Sequence, residues 1–207
     1  FCWLPPLNLL ARSAGFSGPQ ACAGCHEFAF PPARRRQPGA LMQSTLHEHA
    51  RSEYADIACQ SCHMGAGPGA RRDHRFAVSH DPALLRAALS ASARRLGPDL
   101  LQLDLAPVGV GHAFPTGDLF RRLALEVEAL DAADVRVAAA TRYLARHFPA
   151  RVHRGPGPQP PDPPEPDDRL TGPTHVQLHV PGAEAGHTLR WRVVYQRVDQ
   201  RDAFAPE

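Results

Sequence analysis

A chain of 207 residues is long enough for one large domain or two small ones. Its 23 basic and 21 acidic residues leave a formal net charge of +2, without the basic excess of a nucleic-acid binder. No apolar run is long enough to cross a bilayer as a helix, so neither nucleic acid nor a transmembrane segment is expected.

The chain opens on an apolar arm, residues 1–10, interrupted by Pro5 and Pro6. Phe1, Trp3, Leu4, Leu7, Leu9 and Leu10 would be a liability if left exposed. The arm is therefore expected either to pack on its own chain or to dock on a second copy. The missing initial Met is read as a signal segment already removed. Next come Cys22-Ala23-Gly24-Cys25-His26 and Cys59-Gln60-Ser61-Cys62-His63, with Cys2 left over as a packed thiol. Leu41 to Tyr54 and Pro82 to Leu96 are expected to be helices, the second begun by Asp81-Pro82. Loops and turn-formers fill the remainder of residues 1–97.

After Gly97-Pro98 the apolar pattern changes to a period of two. Leu101, Leu103 and Leu105 alternate with Gln102 and Asp104, and Leu123, Leu125 and Val127 with Ala124, Glu126 and Glu128. Val176, Leu178 and Val180 form a third run, and Leu189, Trp191, Val193 and Tyr195 a fourth. Residues 134–147 add one or two further strands. Short strands separated by turns predict a small antiparallel β-sandwich over 98–207, with a Pro-rich loop at 155–166. The predicted fold class is α+β: a loop-rich helical region over 1–97, followed by an Ig-like β-sandwich.

The two Cys-x-x-Cys-His motifs carry the chemistry. Two thiols three residues apart can add to the vinyl groups of one haem, and the adjacent His is then placed to bind its iron. Two haem c groups are predicted: one on Cys22, Cys25 and His26, the other on Cys59, Cys62 and His63. A four-thiolate zinc site is the competing reading of the same cysteines. It has no use for the two histidines, and 33 residues separate Cys25 from Cys59, more than a zinc ribbon spans. Covalent haem attachment needs reduced thiols outside the cytoplasm, so a periplasmic or extracellular location is expected. Ten further histidines could supply distal ligands, which would favour electron transfer over catalysis.

The stretches from Met42 through Cys62-His63-Met64 to Asp73-His74-Arg75-Phe76, and Gly111-His112-Ala113-Phe114-Pro115-Thr116-Gly117, resemble segments of multihaem c-type cytochromes of the cytochrome c-554/c-552 group. The resemblance implies that His74 and His112 are distal iron ligands and that a β-sandwich follows the haem region. The chain departs from the group's pattern at Glu48-His49, where Glu-Trp is expected, which makes His49 a reserve ligand together with His80. The function expected is dihaem electron transfer with redox partner proteins, either as a carrier or as a homopolymer joined through the N-terminal arm into a conductive extracellular filament. The alternative is a dihaem redox enzyme of the peroxidase or nitrogen-oxide reductase type.

Overall fold

The structure, a computed structural model, describes residues 14–30, 41–65, 81–118, 120–147 and 166–197. His74, His80, Cys2, the arm at 1–10 and the Pro-rich loop up to residue 165 lie outside the described residues. Four helices of seven residues or fewer stand in the first half: α1 (Gln20–His26), α2 (Thr45–His49), α3 (Cys59–His63) and α4 (Pro82–Ala87). Among the described residues, no helix is long and apolar enough to cross a membrane.

Both long helices expected from the sequence are corrected. Within 41–54, Leu41–Ser44 is a strand, β2, that pairs antiparallel with β1 (Glu27–Ala29). Only Thr45–His49 is helical, and residues 50–57 turn. Within 82–96, α4 begins where Asp81 predicts, its carboxylate accepting from Ala83 N at 2.8 Å and Leu84 N at 3.3 Å. The helix ends at Ala87, and Leu89–Gly97 is strand β3. A free sheet edge decides the matter: β3 pairs along its length with β4 (Leu100–Pro107), Ala91 opposite Leu105 and Ala93 opposite Leu103. Ladder hydrogen bonds and contact with buried leucines outweigh the modest helix preference of an Ala-rich segment. The strand region therefore starts before residue 98.

The remaining strands follow the alternation read from the sequence. They are β5 (Arg121–Leu130), β6 (Arg136–Leu144), β7 (Thr174–His179) and β8 (Thr188–Arg197). They form two antiparallel three-stranded sheets, ordered β3-β4-β7 and β6-β5-β8. In the middle strands, Leu103 of β4 lies between Ala93 and Val176, and Val127 of β5 between Ala140 and Trp191. Leu101, Leu103 and Leu105 join Leu123, Leu125 and Val127 in one apolar core shared by both sheets. Each fully buried leucine contributes about 1.5–3 kcal/mol. This core holds β4 and β5, and the segment 108–118 that links them carries His112.

Candidate functional site

Each Cys-x-x-Cys-His motif closes a single helical turn, α1 for one and α3 for the other. On an α-helix, residues three and four apart share a face, so two thiols and one imidazole are presented together. Cys22 and Cys59 are half-buried, Cys25 and Cys62 are exposed, and none of the four is in a disulfide. The two helices approach closely: Cys59 shares a hydrogen bond with Cys22, and burial together with that neighbour pushes the Cys59 thiol up. Among the described residues, no three or more His, Cys, Asp or Glu side chains gather so as to hold a bare metal ion.

Both motifs open on one cavity of about 480 Å³, whose wall also includes His49 and His112. The wall is largely apolar. Ile57, Leu84 and Val108 line it while remaining 42%, 44% and 51% exposed, among the most exposed large apolar side chains of the described residues. Such a surface suits a large flat apolar group better than water.

His112 is held with unusual thoroughness for a loop residue. Gly111 before it lies against Tyr54, where any Cβ would come within 2.9 Å of the Tyr54 Cβ. Gly117 after it has φ +114°, a region L side chains rarely adopt. Phe114 N donates to Leu170 O at 2.7 Å, and Leu170 N returns a bond to Phe114 O at 3.0 Å. The His112 Nδ1 lies 3.0 Å from Ala113 O. A carbonyl can only accept, so Nδ1 carries the proton and Nε2 keeps its lone pair for a metal. Burial pushes the His112 ring down in pKa, despite the Ala113 bond and Glu48; burial, His112 and His26 do the same to His63. Both shifts favour the neutral ring, the form that can bind a metal. Their centres are 5.9 Å apart and their planes 18° from parallel. Two imidazoles bonded at about 2 Å to opposite sides of one metal would have ring centres roughly 6 Å apart.

His49 is buried against the same cavity. The Gln43 side-chain nitrogen lies 3.5 Å from His26 Nδ1. Several residues of the site escaped the reading of the sequence. Arg121, where β5 leaves the cavity wall, donates to the Tyr195 hydroxyl at 2.6 Å and lies 3.4 Å from Asp118, while its buried Nε has no hydrogen-bond partner. Glu48 and Arg169 form a buried ion pair at 2.8 Å beneath the His112 turn. Thr45-x-x-Glu48 has capping-box spacing and could have drawn attention to Glu48. No local signal marks Arg169 or Arg121.

No family model matches this chain, and no curated protein does. Among solved structures it is similar to a penta-haem cytochrome c552 from Thermochromatium tepidum, with a TM-score of 0.62 and 24% sequence identity. The match covers 87% of this chain and 49% of that one, so the chain spans about half the length of its structural neighbour. The likeness is one of fold, and this chain's fold is built of short helices and antiparallel sheets.

Proposed function

We propose that the chain is a dihaem c-type cytochrome that transfers electrons, with one haem on Cys22, Cys25 and His26 and a second on Cys59, Cys62 and His63. The observation that carries the reading is the joint opening of both motifs on one cavity, with the His112 ring set 5.9 Å from that of His63. The residues present fit the cofactor: thiols and imidazole on one helix face, an apolar wall, and a half-buried Arg121 whose enclosed Nε has an unmet hydrogen bond. When bound, each haem iron takes up and releases one electron.

The chain's own part is to ligate, orient and shield. His63 and His112 would hold one iron between them. His26 would hold the other, with His49, His74 or His80 as its second ligand. Arg121 would offer a cationic donor to the haem carboxylates. The two sheets, read as an Ig-like sandwich, hold the His112 turn rigid. A supply of histidines on the cavity wall favours filled sixth positions, and with them electron transfer over peroxidase or nitrogen-oxide reductase chemistry. The haem attachment chemistry places the protein in the periplasm or at the cell surface. Its extension into a filament joined by residues 1–10 rests on the sequence alone.

Intact mass and a haem stain on the denatured chain should give two covalent haems, and His112→Ala should turn one of them from low to high spin. A chain carrying no haem or one, or a wild type that binds cyanide readily at both irons, would defeat the reading.

A further inference from the structure

Glu48 is the last but one residue of a five-residue helix, yet its carboxylate is the hub of the site's polar contacts. Oε1 accepts from Ser44 Oγ at 2.7 Å and from Arg169 Nη2 at 2.8 Å. Oε2 accepts from Thr116 Oγ1 at 2.6 Å and from Ala113 N at 3.3 Å. Arg169 adds a bond of its own, Nη1 to Pro115 O at 3.2 Å, and is also paired with Asp167. The ion pair thus grips three of the four residues that follow His112. Ala113 is the pivotal one: its N–H goes to Glu48, and its carbonyl takes the Nδ1 proton of His112.

We infer that Glu48, held by Arg169, is a positioning residue that fixes the angle and the basicity of His112 as an axial ligand. A buried ion pair is seldom the most stabilising choice for such a place, since well-packed apolar side chains often do as well or better. What a carboxylate supplies and an apolar residue does not is a set of directed acceptors for the turn, together with a fixed negative charge beside the ligand. That charge favours the ferric over the ferrous iron. Thr45 Oγ1 lies 3.0 Å from Thr116 Oγ1 and accepts from the Gln43 amide at 3.2 Å. Gln43 in turn is the residue nearest His26 Nδ1 in this chain of bonds. The Glu48 effect is nonetheless expected chiefly at the His112 iron, because Glu48 bonds directly to Ala113, the neighbour and hydrogen-bond partner of His112.

The inference rests on His63 and His112 ligating one haem, and the test separates the two. Glu48→Gln keeps the size of the side chain, removes the charge, and turns one of its two acceptor atoms into a donor facing donors. Thr116→Val removes one of the hydrogen bonds to Glu48, together with the contact to Thr45 Oγ1. Both variants are purified as the haem-loaded full chain and followed by visible and EPR spectra and by redox titration. E48Q should convert one of the two haems partly or wholly to high spin and raise the potential of that haem alone. T116V should move the same haem in the same direction by less. Should E48Q fail to fold, T116V decides alone. Unchanged spectra and potentials in a haem-loaded variant, or equal changes at both haems, would overturn the inference. A wild-type chain without two haems would instead strike the reading on which it rests.

Discussion

Asp167 shows how charge is managed beneath the His112 turn. Burial alone would push its carboxyl up, but hydrogen bonds and charge from Arg169 overcome this and hold it below its ordinary 3.8. A carboxylate depressed in the folded state contributes stability that is complete above the unfolded value and is lost as pH falls through the folded one. Asp167→Asn should therefore lower the urea midpoint at pH 7 and flatten the acid limb below about pH 3.8 relative to wild type. An acid limb of unchanged steepness would mean that the Arg169 contact contributes nothing to folding. Because the Asp167 side chain is 41% exposed, the effect is expected to be smaller than for a fully enclosed pair. At the same scale the motif residues are the most legible part of the chain. The two Cys-x-x-Cys-His units are recognisable within five residues each, whereas Arg121 and Tyr195 meet only through the pairing of β5 with β8.

The elements differ in how much they reveal by themselves. Strands β4, β5, β7 and β8 are visible as alternation because one face of each meets the shared core. Strand β3 is not: Ser90, Ala91, Ser92, Arg94 and Arg95 are exposed, and only the β4 edge makes the segment extended. Helix α4 lies between these cases, since its start is written in Asp81-Pro82 and its end is imposed by the sheet. Replacing Asp81 by Ala removes both hydrogen bonds to the first turn and should cost about 0.5–2 kcal/mol. Leu84 and Leu85 of α4 line the cavity, so the variant should keep its haems while its urea midpoint falls. An unaltered midpoint would show that docking on the cavity, rather than the cap, holds this helix.

For the whole molecule, the filament proposal predicts an assembly that the single chain does not display. Residues 1–10 would dock on the next copy, with Pro5 and Pro6 limiting the entropy lost on docking. Negative-stain microscopy of native material should then show filaments, and deletion of 1–10 should abolish them with both haems and their spectra intact. Filaments that survive the deletion, or single particles from the full chain at high concentration, would refute the arm's role. The sequence by itself determined the two Cys-x-x-Cys-His motifs, the α+β class and five of the six strands of the two larger sheets, because each of these depends on residues within a few positions of one another. Only the tertiary structure decided that the two motifs share one cavity, that His112 faces His63, and that Glu48 meets Arg169 across 121 positions of chain. Such contacts are made by the packing of two sheets around a common core, and no local pattern encodes which distant partner a buried charge will find.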